Sequence, residues 1–276
     1  MSTFSDEDHA ALKEFEHRGW DKAAVEYHRL WGILSVQAVD QMLDAVAVGP
    51  GCRVLDVATG AGYAAAAAAN RGAEATGLDL SRAQVDLARR EYPTVQFDEG
   101  DMEDLPYPAD SFDAVVMNFG LLHSLRPARV ASEGFRVLKS GGRFAYTVWA
   151  LPEVSVGFRI VLGAIEKHGT MDVPLPPAQP YFRFSEEQES FNLLSRFGFS
   201  DLHFEIVPLV WRLPSAEQLF QAYYQGAVRA TVILRNQSKE AIDAIYPQVI
   251  KECEVFQTDE GVEIPMGAAL TVGTKP

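Results

Sequence analysis

Between residues 53 and 149 the chain alternates short apolar runs with stretches of helical periodicity. Runs at 53–58, 74–80, 95–99, 112–119 and 143–149 read as strands. The alanine-rich stretch 63–71 reads as a helix, because alanine favours helix and sits close against a sheet. A second helix opens at Ser81, which stands at capping-box spacing from Gln84, and closes at Tyr92-Pro93. A third starts after Pro127 and stops at Ser140-Gly141-Gly142. Parallel neighbours cannot be joined by tight turns, so this alternation demands crossover helices and a mainly parallel α/β sheet.

The flanks have a different character. Residues from about 6 to 46 carry apolar side chains at helical spacing, Leu30, Ile33, Leu34 and Val36 among them. Gly49-Pro50-Gly51 then breaks the chain. Residues 151–180 are proline-rich and read as loop with a short helix. From 181 to 224, 11 of 44 residues are aromatic, 25% against 11% for the whole chain, which suits an apolar wall. Residues 202–210 and 264–272 read as two more strands, and 215–256 as helical. The expected organisation is an N-terminal helical cap over 1–47 and one domain over 48–276, with lid insertions at about 151–195 and 213–258.

Charge and cysteine usage narrow the partners. There are 24 basic and 38 acidic residues, a net charge of −14 spread over both halves. No basic stripe exists, so nucleic acid and anionic membrane are poor partners. Cys52 and Cys253 are too few for a disulfide framework or a cysteine zinc site, and no histidine pair has zinc spacing, so no metal is expected. No apolar run reaches 18 residues and the first residues lack a basic, apolar leader. A cytoplasmic protein without integral membrane association is the expectation.

The chemistry gathers where strands end. Val54-Leu55-Asp56-Val57-Ala58-Thr59-Gly60-Ala61-Gly62 is a strand running through a glycine turn into a helix. Glycines there let a ligand approach the backbone, and a helix N-terminus offers unpaired N–H groups to an anionic group. Asp79, in Gly77-Leu78-Asp79-Leu80-Ser81, lies 19 residues after Gly60 at the end of the next strand. A carboxylate there can accept both hydroxyls of a ribose. Gly100-Asp101-Met102 follows the third strand, where Asp101 can accept from an adenine amino group with Met102 beside the base. Asn118-Phe119-Gly120-Leu121-Leu122-His123 follows the fourth. In a parallel sheet these four loops converge on one crevice.

This order of motifs, continued by Asp-Ser-Phe-Asp-Ala-Val and Arg-Val-Leu-Lys-Ser-Gly-Gly-Arg, resembles the class I S-adenosylmethionine-dependent methyltransferases over residues 48–149. It is most similar to the branch of ubiquinone/menaquinone C-methyltransferases and small-molecule methyltransferases. The resemblance implies a Rossmann-like, doubly wound, seven-stranded sheet whose last strand is antiparallel. It implies S-adenosyl-L-methionine as cofactor and a small-molecule methyl acceptor, and leaves a homodimer open. Gly60 and Gly62 would admit the methionyl part, and Asp56 would orient the loop or the ammonium. Asp79 would hold the ribose, Leu80 would pack on the adenine, and Asp101 and Met102 would hold its edge. Asn118 and Phe119 would line the methionine end. Tyr27, sharing a helical face with Trp20, would close the site from the N-terminal helix. Ala58 departs from the family pattern, in which many members carry glycine; alanine is small enough to keep binding.

Two other readings share these residues. Gly60-x-Gly62-x-x-Ala65 with Asp79 also satisfies the dinucleotide fingerprint. Asp56 at the end of an otherwise apolar strand, Asp101 crowding the second-nucleotide region, and no second nucleotide-binding half oppose an NAD-dependent oxidoreductase. A cofactor-binding module without methyl transfer stays open, since no general base is assured. His123 is the first candidate base, ahead of His28, His168 and His203. The acceptor is expected between the N-terminal helix and the segment after Trp149. Trp20, Trp149, Tyr181, Phe182 and Tyr223 would supply aromatic wall, and Arg183 would meet an acidic group, as could Arg212, Arg229 and Arg235.

Overall fold

The computed structural model describes residues 4–276. Helix α1 (Asp6–Leu30) is followed by the short α2 (Gly32–Ser35) and by α3 (Val39–Ala45). The sheet region runs β1 (Arg53–Val57), α4 (Tyr63–Asn70), β2 (Glu74–Asp79), α5 (Arg82–Glu91), β3 (Gln96–Glu99), β4 (Phe112–Asn118), α6 (Pro127–Val137) and β5 (Leu138–Trp149). The remainder holds α7 (Val156–His168), α8 (Glu187–Ser195), β6 (Ser200–Leu213), α9 (Ala216–Gln225), α10 (Val228–Arg235) and α11 (Lys239–Cys253). The two-residue β7 (Gln257–Thr258) and β8 (Gly261–Thr274) end the chain.

Seven strands lie in the order β3-β2-β1-β4-β5-β8-β6, and β7 pairs with β8 beside this path. The five strands from β3 to β5 are parallel. The last strand, β8, runs antiparallel to both neighbours. The architecture is thus the mainly parallel α/β sheet expected from the residues, in the doubly wound, Rossmann-like form that the resemblance implied. Strand order reverses between β1 and β4, which opens a crevice at their carboxyl ends. β1 is buried along Val54–Val57, as a central parallel strand covered on both faces must be. The alanines of α4 serve the close approach expected of them: Ala64, Ala65, Ala66 and Ala68 are buried.

Three local expectations shift. The 6–46 helical region is broken at Trp31 into α1 and α2, with a 3₁₀ turn before α3. The glycines after Val137 do not stop a helix before a separate strand. They lie inside β5, where Gly141 takes φ 78° and its N–H donates to Lys275 O at 2.8 Å. Residues 151–180 contain the thirteen-residue α7, which starts after Ser155. Its buried Phe158, Ile160, Val161, Ala164 and Ile165 give it a core face, and the prolines fall outside it.

Trp31 ties the N-terminal helices to the far half of the chain. Its ring centroid lies 4.4 Å from Trp211, 5.0 Å from Tyr223 and 5.6 Å from Trp149. Its indole N–H donates to Ala222 O at 3.0 Å, and the Trp211 indole returns to Leu30 O at 3.1 Å. Buried aromatics of this kind need a partner for each N–H, and both have one. This packing fixes where α1 crosses the crevice.

Candidate active site

The turn after β1 is built from left-handed residues. Ala58, Gly60 and Gly62 have φ of 55°, 54° and 89°. An alanine in that conformation costs about 1 kcal/mol. Ala58 fits sterically because its neighbour is glycine: a Cβ at Gly120 would stand 2.7 Å from the Ala58 methyl. The two remaining glycines of the turn have separate reasons. A Cβ added at Gly60 would meet nothing within 4 Å, because Gly60 faces an open cavity. One added at Gly62 would lie 2.7 Å from the Phe97 ring, and Gly62 does not line the cavity. Gly62 is therefore where α4 packs on the β3 side, rather than a place where a ligand meets backbone.

Two buried carboxylates organise this turn. Asp56 is 1% exposed; its Oδ2 accepts from Thr59 Oγ1 at 2.6 Å and from the Ala65 N–H at 3.0 Å. Its Oδ1 has no hydrogen-bond partner among the described residues. Burial pushes the Asp56 carboxyl up to about 7, against the pull of those two donors. Asp79 is 9% exposed; its Oδ2 accepts from the Gly60 N–H at 2.8 Å and its Oδ1 from the Ser81 N–H at 2.9 Å. Burial holds the Asp79 carboxyl above the usual range as well. Donors that the sequence offered to an external anion, at Gly60 and at Ala65 in the first turn of α4, are thus taken by the protein's own carboxylates.

The other loops converge as expected. A single cavity of about 640 Å³ is lined by Asp56, Ala58, Gly60, Asp79, Leu80, Asp101, Met102, Asn118, Phe119 and His123. That size lies within the usual range for small-molecule sites. Asn118 is clamped: its amide donates to Ser35 O at 3.0 Å and its Oδ1 accepts from Thr147 Oγ1 at 2.7 Å. Phe119 takes φ 59° and stacks on Trp149 at 3.8 Å.

Helix α1 lies across the opening. Asp6, His9, Lys13, Glu16, Trp20 and Tyr27 follow one another at helical spacing and all line the cavity. Trp20 meets Tyr27 edge to face at 5.0 Å, as their seven-residue separation predicts. Tyr27 is partly buried, and that desolvation pushes its phenol up to about 12 and keeps it protonated. Three contacts fasten the helix to the strand-end loops. Lys13 pairs with Asp101, Asp6 with Arg126 at 2.5 Å, and Ser81 donates to Asp21 at 2.6 Å. Glu16, which the motif reading passed over, is 4% exposed. Its signal was present: a carboxylate four residues before Trp20, inside a stripe that otherwise faces the site.

The remaining candidates lie elsewhere. Trp149, Tyr181, Phe182, Arg183 and Tyr223 do not line the cavity. Trp149 stands behind Phe119, while Tyr181, Phe182 and Tyr223 surround Phe158 at 5.5 Å each. Arg183 pairs with Glu189 at 2.6 Å. Aromatic excess in 181–224 is spent on this core, because β6 and α9 must bury against α7 and Trp31. The wall on that side comes from α1 instead.

Electrostatically the site suits a cation. The basic groups at its rim are engaged by acidic ones: Lys13 by Asp101, Arg126 by Asp6, and Arg129 by Asp104 at 3.7 Å. Neither Asp56 nor Asp79 forms an ion pair with a basic side chain among the described residues, and His123 acts on Asp79 through space. A bound positive group beside Asp56 Oδ1 would favour the ionised carboxylate. An anionic pyrophosphate would meet the opposite field.

Residues 55–146 match a family model described as the methyltransferase domain. The chain is 35% identical over 157 residues to a demethylmenaquinone methyltransferase of Clavibacter sepedonicus, covering 53% of this chain and 64% of that one. It is 37% identical over 111 residues to a demethylmenaquinone methyltransferase of Renibacterium salmoninarum, covering 40% and 47%. The chain thus spans about half to two thirds of the length of these relatives. A structure of phosphoethanolamine N-methyltransferase 2 from Haemonchus contortus, in complex with phosphomonomethylethanolamine and S-adenosylhomocysteine, shares the fold. Its TM-score is 0.58 at 17% identity, over 96% of this chain and 60% of that one. No helix among the described residues is long and apolar enough to cross a membrane.

Proposed function

We propose that this chain, whose residues 55–146 carry a methyltransferase domain, transfers a methyl group from S-adenosylmethionine to a small, partly apolar or aromatic acceptor in the cytoplasm. The observation that carries this reading is the pairing of an open Gly60 face with an unpartnered buried Asp56 Oδ1 in one cavity. These fit the two ends of a cationic amino-acid ligand: a close backbone approach and a carboxylate for an ammonium. Asp79 would hold the ribose with lone pairs left over from its two backbone donors. Leu80 and Met102 would take the faces of the adenine, with Asp101 at its edge. Asn118, Phe119 and Tyr27 would enclose the methionine end. Bound there, the cofactor supplies a methyl group already activated by positive sulfur.

The chain's own residues then have a positioning task. Holding donor and acceptor in line, away from water, supplies most of the rate in a displacement of this kind. Trp20, Tyr27 and Leu12 line the cavity from α1 and offer apolar surface to the acceptor. The acceptor reading thereby moves from the aromatic segment 181–224 to α1. His123 lines the same cavity and would take a proton from an acceptor that must lose one.

Isothermal titration calorimetry against S-adenosylhomocysteine, with NAD as control, tests the cofactor. Micromolar binding of the first alone is expected; binding of NAD alone would overturn the reading. Turnover to S-adenosylhomocysteine with small phenols, amines and demethylmenaquinone tests the transfer. Binding without turnover across that panel would favour a module that holds the cofactor for another purpose.

A further inference from the structure

Glu16 and His123 come from opposite sides of the cavity, one from α1 and one from the loop after β4. Glu16 Oε2 stands 3.1 Å from His123 Nδ1. The pair is not aligned as a formed hydrogen bond, and neither atom has any other hydrogen-bond partner among the described residues. A carboxylate and an imidazole nitrogen buried against each other, with no third polar group to satisfy either, are placed for one another. Trp20 packs edge to face on the imidazole at 5.1 Å and closes the ring on its apolar side.

The groups around the pair leave it undisturbed. Asp79, at the end of β2, acts on His123 only through space. On the histidine's own loop, Ser124 is taken by Glu103 and Arg126 by Asp6. On the far side of Glu16, Arg229 of α10 and Tyr181 are its electrostatic neighbours. Arg229 is a half-buried guanidinium that donates to Pro176 O at 3.2 Å, so it offers Glu16 a second positive charge without a direct bond.

We propose that Glu16 is the positioning residue for His123: its carboxylate accepts a hydrogen bond from Nδ1–H, fixes the ring, and leaves Nε2 as the unprotonated nitrogen that takes the acceptor's proton. This rests on the methyl-transfer reading above. Imidazole has two nitrogens, and a hydrogen bond at one decides that the other is the base. His123 Nε2 makes no hydrogen bond to any described residue, and its side chain lines the cavity. As the acceptor's electron pair forms its bond to the methyl carbon, the acceptor's proton passes to Nε2. The pair from the broken carbon–sulfur bond stays on the donor sulfur. The imidazolium so formed faces Glu16 and later returns its proton to water.

Nitrogen-15 spectra of histidine in the ligand-free protein test the pair without any turnover. In the wild type His123 should be the Nδ1–H tautomer when neutral. Glu16→Met, which keeps the shape but removes the acceptor, should move the population toward Nε2–H. Glu16→Gln retains an acceptor oxygen and should hold the tautomer while losing the charge. With 1,4-naphthohydroquinone and catechol as probes, Glu16→Met should lower kcat about 100-fold. KM and S-adenosylhomocysteine affinity should stay within about twofold, and Glu16→Gln should fall between. An unchanged tautomer in Glu16→Met, or a wild-type kcat in both variants, refutes the assignment while methyl transfer stands. A wild type that methylates no probe but shows the tautomer change refutes the transfer reading and keeps the pair.

Discussion

Separate alanine substitutions at Gly60 and Gly62 distinguish a ligand glycine from a packing glycine two residues away. Both have positive φ, 54° and 89°, so each alanine pays a backbone cost of about 1 kcal/mol. Ala58, at φ 55° in the same turn, shows that the chain tolerates one such residue. The side-chain consequences then diverge. At Gly60 the methyl enters open cavity, so stability should fall by the backbone term alone. At Gly62 the methyl would stand 2.7 Å and 2.9 Å from Phe97 ring atoms and 3.1 Å from Ala88 Cβ. Phe97, Ala88, Ala65 and Val85 form one buried cluster, which cannot give way freely. Overpacking of that kind adds about 1–3 kcal/mol, for a total of about 2–4 kcal/mol. For a chain of this length that is a melting-temperature drop of about 3–7 °C, against about 2 °C for Gly60→Ala. Thermal melts followed by circular dichroism, and calorimetry with S-adenosylhomocysteine, read the two effects. Gly60→Ala should weaken ligand binding at least about tenfold, or roughly 1.4 kcal/mol, while remaining folded. Gly62→Ala should keep affinity within about threefold at temperatures where it is folded. Equal melting temperatures, or a Gly60→Ala protein with full affinity, would refute the division of labour between the two glycines.

Asp79→Ala leaves the buried Ser81 N–H without its acceptor, at about 1–3 kcal/mol, and the half-buried Gly60 N–H as well, so both stability and affinity should fall. A folded variant that binds S-adenosylhomocysteine as tightly as wild type by calorimetry removes the ribose assignment. Burial pushes the folded-state Asp56 carboxyl up to about 7, against 3.8 for a free aspartate. Between those values the folded state holds a proton that the unfolded state has released, so stability falls as pH rises from about 4 to about 7. Asp56→Asn should abolish that slope and gain stability relative to wild type from pH 5 to pH 8, while binding the ligand more weakly. Parallel melting curves for the two proteins across that range would show that Asp56 does not carry the slope.

How much of this was legible varies with the kind of constraint. Strand positions near the site were readable because a central parallel strand must be apolar on both faces, as β1 and β4 are. The loops after β1, β2, β3 and β4 were readable as one site because parallel order alone brings their ends together. Sequence cannot say which of two glycines faces space; Phe97, arriving from β3, packs against Gly62 and leaves Gly60 open. The place of the aromatic residues of 181–224 was not legible for the same reason, since an aromatic excess serves a core and a binding wall equally well.

The chain's sequence by itself determined the alternation of elements, the parallel sheet with its crevice, and the carboxylates at the strand ends. Those follow from local periodicity and from the chirality and reach of crossover connections, which need no knowledge of distant partners. Tertiary structure alone decided what crosses the crevice. Trp31, set among Trp149, Trp211 and Tyr223, fixes the path of α1. That path brings Glu16 to His123 across 106 residues of intervening chain, and Lys13 to Asp101. Such pairings are set by the packing of buried side chains from remote segments, and no local pattern encodes them.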